Sequence, residues 1–91
     1  MYPHRIRLRG PWDREPLPSG DGRFRFRRRF GFPGRLDDYE RVWLTVAGIA
    51  GDVSVWLNGQ LLGRQENATD GFEFEVTALL RPRNEVVIEA G

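Results

Sequence analysis

The chain has 91 residues, a net charge of +1 and no cysteine. Its length fits one domain, which we place over residues 1–91. The absence of cysteine excludes disulfides, a thiolate nucleophile and zinc–sulfur sites. No run approaches the roughly 18 apolar residues of a membrane-spanning helix, so we expect no membrane partner. The first residues lack the apolar core of a signal peptide, so the default expectation is a cytoplasmic protein.

Two stretches in the first third of the chain alternate apolar residues with Arg. Residues 5–8 predict a short edge strand, and residues 13–22, rich in Pro and Gly, predict a loop. Residues 23–30 predict a strand whose inner face is mostly aromatic. Its outer face is lined by four Arg side chains: Arg23, Arg25, Arg27 and Arg29.

The charge is distributed unevenly along the chain. Residues 1–35 hold ten Arg against three acids, and residues 36–91 hold four Arg against ten acids. Such asymmetry suits either an anionic-polymer surface formed by the four outer Arg, or neighbouring strands that neutralise each other. We favour neutralisation, with Glu73 and Glu75 as partners, because nucleic-acid-binding domains usually have an overall basic charge. We therefore expect no nucleic-acid partner.

The middle of the chain predicts three strands. Residues 41–47 alternate apolar residues on one face. Residues 53–63 predict a hairpin, because the turn Asn58-Gly59 suits two positions with positive φ. A two-residue loop pairs Leu57 with Gln60, Trp56 with Leu61 and Val55 with Leu62.

The pairing of the strands at residues 42–46 and 53–57 stays open. If the two strands pair directly, Trp43 lies opposite Trp56 on the outer face. If the chain crosses to a facing sheet, the two Trp side chains lie on separate surfaces.

The last third begins with a polar segment over residues 64–71, which predicts a loop. A strand follows over residues 72–76, then a tight turn or one helical turn over residues 77–80, and a last strand over residues 85–90. Seven or eight short strands without helical periodicity predict an all-β sandwich.

Candidate chemistry is sparse. Glu73 and Glu75 lie two apart on one strand face, a spacing of roughly 6–7 Å that resembles a glycosidase carboxylate pair. They lack the cleft and the unequal environments that such a pair needs, so we assign no catalytic residue. We expect no cofactor and no metal, with only a structural calcium at Asp52 or Asp70 left open.

Four stretches together resemble a known family: residues 41–49, 55–63, 72–80 and 84–88. They are similar to the amino-terminal sugar-binding domain of glycoside hydrolase family two, which includes β-galactosidases, β-glucuronidases and β-mannosidases. Gly10-Pro11-Trp12 and Arg28-Arg29-Phe30 also resemble its opening pattern. The resemblance implies a jelly-roll sandwich of the galactose-binding-like type. It also implies that catalysis belongs to a separate barrel domain, so we expect this chain not to be an enzyme.

Two functional hypotheses follow. The first is a non-catalytic carbohydrate-binding module, alone or beside a hydrolase catalytic domain, with Asn58 and Gly59 as structural residues. Its sugar-binding residues would be a flat ring and fixed polar groups: Trp12, Arg64, Asn67 and Asp70. The second is an interaction module that docks another domain or forms a homo-oligomer through Trp43, Trp56 and the Arg-rich strand.

Overall fold

The computed structural model describes residues 4–8, 12–18, 22–32, 40–47, 49, 51–68 and 71–90, without the side chains of residues 47, 67 and 68. Within these ranges the chain forms eight strands and one short 3-10 helix. The strands are β1 (His4–Arg7), β2 (Asp13–Pro16), β3 (Phe24–Gly31), β4 (Val42–Ala47), β5 (Gly51–Leu57), β6 (Gln60–Ala68), β7 (Gly71–Glu75) and β8 (Arg83–Ala90), and the helix spans Thr77–Leu79. No helix in the described ranges is long and apolar enough to cross a membrane.

The strands form two sheets. One has five strands in the order β2-β3-β8-β5-β6, and the other has three in the order β1-β4-β7. All pairings are antiparallel except β1 with β4, which is parallel. The predicted all-β sandwich is therefore confirmed.

The core follows from the period-two alternation of β4, β5 and β8. Inward-facing residues of these strands are nearly all fully buried, and Leu44 and Leu57 have no exposed area. Apolar side chains from both sheets thus remove their surface from water together, which is the main stabilising contribution in a sandwich. The inward-facing set is Val42, Leu44, Val46, Val53, Val55, Leu57, Val86, Ile88 and Ala90.

The chain crosses from one sheet to the other between β4 and β5. β4 pairs with β1 and β7, whereas β5 pairs with β6 and β8. The alternative in which β4 and β5 pair directly is therefore wrong. The place beside β5 is taken by β8, whose Ile88 and Val86 lie opposite Val55 and Leu57.

The predicted hairpin turn is confirmed, but its register is only partly as predicted. Asn58 and Gly59 have φ of 52° and 84°. Leu57 pairs with Gln60 and Trp56 with Leu61, after which a register shift places Gly63 opposite Val55. Gly63 suits this position because a Cβ there would lie 2.8 Å from the Phe74 ring of β7. The predicted Val55–Leu62 pair is wrong, although Leu62 still packs against the core.

Two predicted loops contain strands. Residues 13–16 form the edge strand β2, because their backbone pairs with β3; Pro16 at the strand end is compatible with an edge position. Polar β6 continues to Ala68, because it keeps its pairing with β5 as far as Gly51. The helical turn at 77–79 is confirmed, and β8 begins at Arg83, two residues earlier than predicted.

Candidate functional site

The predicted sugar-binding residues do not meet in one place. Trp12 directly precedes β2, is half-buried and packs against the core. Arg64 is exposed on β6, opposite Ser54. β2 and β6 are the two edges of the five-stranded sheet, about 19 Å apart at the usual strand spacing, so one sugar ring cannot contact both. Asn67 lies in β6 with its side chain undescribed, and Asp70 lies outside the described residues.

The outer face of the five-stranded sheet is ordered in rows that cross the strands. One row, here called the Trp56 row, consists of Asp13, Arg27, Val87, Trp56 and Leu61. Trp56 is half-buried, and Leu61, with 44% of its surface accessible, is the exposed large apolar residue of the described ranges. The row therefore presents a flat, partly apolar strip between charged side chains.

The two outer Trp side chains lie on different surfaces. Trp43 is on β4 of the three-stranded sheet, between Arg5 and Glu75 in the register. Trp56 is on β5 of the other sheet. The two side chains therefore do not form one interaction patch.

The outer Arg side chains of β3 pair with acids of adjacent strands. Arg25 donates to Glu89 at 2.9 Å and to Glu15 at 3.2 Å. These hydrogen bonds, Glu89 first, raise the pKa of Arg25 above its ordinary value. Arg27 and Arg29 share Glu85, with Nε–Oε2 distances of 3.6 and 3.3 Å.

The predicted pairing with acids of neighbouring strands is thus confirmed, but the predicted partners Glu73 and Glu75 are wrong, because they lie in the other sheet on β7. Glu73 accepts hydrogen bonds from the Thr45 hydroxyl at 2.8 Å and from Arg5 Nε at 3.3 Å. The Thr45 bond, followed by Arg5, lowers the pKa of Glu73. Glu75 accepts from the Thr77 backbone N–H and pairs with Arg41.

A cluster of two amides closes the end of the sandwich where the β5–β6 turn meets the start of β8. Asn58 Nδ2 donates to the Leu79 carbonyl and to Asn84 Oδ1, both at 3.0 Å, and Asn58 Oδ1 accepts from the Glu85 N–H at 2.9 Å. Asn84, only 4% exposed, exchanges two further bonds with the Arg81 backbone. This Asn58–Asn84 cluster uses its amide groups internally, which gives Asn58 the structural role expected of it.

A pocket of about 660 Å³ opens beside this cluster. Its walls come from the end of β3 and the start of β8: Arg29, Phe30, Gly31, Arg83 and Glu85, together with the two Asn of the cluster. We call it the Arg29–Arg83 pocket. Its volume falls within the roughly 300–1,000 Å³ of small-molecule sites.

A family model described as the glycosyl hydrolase 2 galactose-binding domain-like family matches residues 17–91. The chain belongs to this family. The family-two stretches identified in the sequence include the β5–β6 hairpin and the beginning of β8, and these are the elements that the Asn58–Asn84 cluster joins. Membership therefore agrees with the observed architecture of the domain.

Solved structures of family-two enzymes contain the same fold. A Bifidobacterium dentium β-glucuronidase complexed with coumarin-3-O-glucuronide is 32% identical, with a TM-score of 0.66 over 75% of this chain and 11% of that chain. A Faecalibacterium prausnitzii β-glucuronidase is 28% identical, with a TM-score of 0.64 over 75% of this chain and 12% of that chain. A putative β-galactosidase from Bacteroides fragilis is 27% identical, with a TM-score of 0.64 over 75% and 10%.

This galactose-binding-like domain thus spans about a tenth of the length of these solved relatives. A comparison with curated proteins found no match. Among the described residues, no group of three or more His, Asp and Glu is arranged to hold a metal ion. Asp52, one of the two calcium candidates, is exposed, and its carbonyl oxygen accepts a bond from Arg23 at 3.4 Å.

The sequence reasoning did not identify the Arg29–Arg83 pocket. Arg29 belongs to a strand face that the sequence predicts to be neutralised, and Arg83 precedes the predicted last strand over residues 85–90. One signal was present: Gly31 follows four outward-facing Arg at a spacing of two, where a fifth side chain would close the surface. The sequence does not show that β8 lies beside β3. It therefore does not show that Arg83 lies next to Gly31.

Proposed function

We propose that this chain is a non-catalytic carbohydrate-binding module that acts together with a glycoside hydrolase catalytic domain. The family match over residues 17–91 carries the proposal. The surroundings of Glu73 and Glu75 agree with a structural role for this pair: Glu73 accepts hydrogen bonds from Thr45 and Arg5, and Glu75 accepts one from the Thr77 N–H and pairs with Arg41.

The Trp56 row is the surface that best suits a sugar ring. An indole ring offers a flat apolar face against which the C–H groups of a pyranose can pack. Ser54 and Arg64 lie in the adjacent row on the same face and provide polar partners for hydroxyl groups. Sugar sites combine such a face with a few fixed polar groups.

An amide NMR titration of the labelled domain tests this function. The panel contains β-galactosides, β-mannosides and β-glucuronides, the last because a relative was solved with a glucuronide. We expect saturable shifts along β5 and β6 with dissociation constants on the order of millimolar. A Trp56→Ala variant should lose them, and a Trp43→Ala variant, altered on the other sheet, should retain them.

A well-dispersed spectrum that no sugar changes would contradict sugar binding for that panel. If Trp56→Ala and Trp43→Ala respond to the sugars in the same way, the ligand binds elsewhere on the domain. Thermal melts of the two variants establish that each is folded under the titration conditions.

One observation favours a second function, docking of a protein partner. Leu61 is exposed beside Trp56 and Val87, and exposed apolar strips often mark interfaces. Analytical ultracentrifugation over a range of protein concentrations tests self-association through this strip. A dimer that persists in high salt and is lost in Leu61→Asp would support docking, whereas a monomer at all concentrations would argue against a homo-oligomer.

A further inference from the structure

Cations outnumber carboxylates where β3 ends and β8 begins. Arg27 and Arg29 both direct Nε toward the same atom, Glu85 Oε2. Arg83 lies two residues from Glu85 on the same face of β8 and is exposed, and its side chain has no hydrogen bond or ion pair among the described residues. Asp13 lies beside Arg27, but on β2, on the side of β3 away from Arg83. The neutralisation that holds at Arg25 is therefore incomplete here.

The space between the two outermost Arg residues is open. Arg29 pairs with Glu85 and Gly31 pairs with Arg83, so Arg29 and Arg83 are diagonal neighbours, with Cβ atoms roughly 7–8 Å apart in such a ladder. Gly31 carries no side chain into this space, although a Cβ there would meet only ordinary contact, 3.6 Å from the Pro82 carbonyl. The side chain of Arg29 is 82% exposed, and its ion pair with Glu85 lies at the edge of the pocket.

We propose that the Arg29–Arg83 pocket binds the carboxylate of a hexuronic acid residue, with the two guanidinium groups as its ligands. Guanidinium groups match the planar carboxylate and form charge-assisted hydrogen bonds with it. The inference rests on the proposed function, because it names the sugar class that the carbohydrate-binding module takes.

One feature favours an acidic sugar over a phosphate or sulfate. Glu85 remains at the edge of the pocket, where it repels a multiply charged anion but can accept a hydrogen bond from a sugar hydroxyl. The amides of Asn58 and Asn84 are occupied by internal bonds, so specificity comes from the Arg pair.

The pocket is also within reach of the proposed sugar platform. Glu85 and Val87 are two residues apart on β8 and face the same way, which separates their rows by about 7 Å. A pyranose whose carboxylate lies between Arg29 and Arg83 can therefore direct its glycosidic oxygen toward the Trp56 row.

The test compares two sugars that differ only in the carboxylate. Methyl β-D-glucuronide and methyl β-D-glucoside are titrated into the labelled chain at neutral pH and low salt, with sodium acetate as a third ligand. We expect the glucuronide to bind about tenfold or more tightly than the glucoside, as one charge-assisted contact allows, and to shift the amides of residues 29–31 and 83–85. Raising the salt concentration should lower the affinity for the glucuronide and leave the affinity for the glucoside unchanged.

Variants assign the effect to the pocket. Arg83→Gln and Arg29→Gln should each lower glucuronide affinity about tenfold and leave glucoside binding unchanged. Arg81→Gln is the matched control: it removes the same charge two residues away, and the bonds that Arg81 makes to Asn84 use its backbone. It should bind both sugars as the unaltered chain does.

Each outcome decides the question. Equal affinity for the two sugars, or equal loss in Arg81→Gln, overturns the acidic-sugar site while the carbohydrate-binding function stands. Acetate that binds as tightly as the glucuronide would show a general anion site to which the sugar ring contributes nothing, and would also overturn the proposal. If no sugar changes the spectrum, the proposed function is overturned, and this inference, which rests on it, is overturned too.

Discussion

The Asn58–Asn84 cluster and the Arg29–Arg83 pocket share one end of the sandwich and treat their polar groups in opposite ways. In the cluster, amide donors and acceptors bond to backbone groups or to each other, and Asn84 is almost fully buried. In the pocket, Arg29 and Arg83 are exposed, and Glu85 is already shared with Arg27.

This difference indicates that the cluster stabilises the fold, whereas the pocket is available for binding. A buried polar group is costly unless its hydrogen bonds are made within the fold, so a satisfied buried cluster stabilises the structure. An exposed charge in excess of its partners contributes little to stability and is available to a ligand. Variants of the two sites should therefore separate stability from affinity.

The largest expected effect is that of Asn84→Ala on stability. The change removes the bonds to the Arg81 backbone and one of the two acceptors of the Asn58 Nδ2 group. We expect the free energy of unfolding to fall by about 2–4 kcal/mol, measured by urea denaturation. Arg83→Gln, one residue away, should change it by less than about 0.5 kcal/mol. Similar losses in both variants would show that the two sites are not distinct.

A smaller effect separates hydrogen bonding from backbone strain at Asn58. Asn58→Gly loses the amide bonds but suits the φ of 52°, whereas Asn58→Ala loses the bonds and also strains the backbone. We expect both variants to be destabilised, and the Ala variant by about 1 kcal/mol more than the Gly variant. Urea denaturation of the pair measures the difference. Equal stabilities would mean that the turn relaxes to another conformation.

The smallest effect concerns the hydrogen bond between Thr45 and Glu73 on the surface of the other sheet. The Thr45 hydroxyl is the main cause of the lowered pKa of Glu73, so Thr45→Val should raise that pKa toward its ordinary value of 4.5, and Thr45→Ser should preserve it. Because the folded-state pKa is the lower one, Glu73 stabilises the fold above pH 4.5 and loses this contribution as the pH falls through the folded-state pKa. A carboxyl-detected NMR titration of both variants measures the shift. An unchanged Glu73 pKa in the Val variant would assign the lowering to the nearby cations Arg5 and Arg7.

Local patterns predicted the elements that bury an apolar face. The alternation of Val42, Leu44 and Val46, and the Asn58-Gly59 turn, each specify a conformation within a few residues. They were confirmed because the conformation depends on side-chain spacing and on φ, both of which are local properties.

The strands without an apolar face were missed. β2 and the far half of β6 carry mostly polar side chains and exist because a neighbouring strand accepts and donates their backbone hydrogen bonds. The same limit applies to the ion pairs. Glu73 and Glu75 have the right spacing for the Arg residues of β3, but the sheet order gives β3 the acids of β2 and β8.

The sequence by itself determined that this protein is a β-sandwich of the galactose-binding-like family, because side-chain alternation, turn chemistry and family motifs are read along the chain. Only the tertiary structure decided which strands are neighbours. It separated Trp12 from Arg64 and Trp43 from Trp56, and it placed Arg83 beside Gly31. Binding surfaces are assembled across strands, and strand order depends on how the two sheets bury their apolar faces together, which no local pattern specifies.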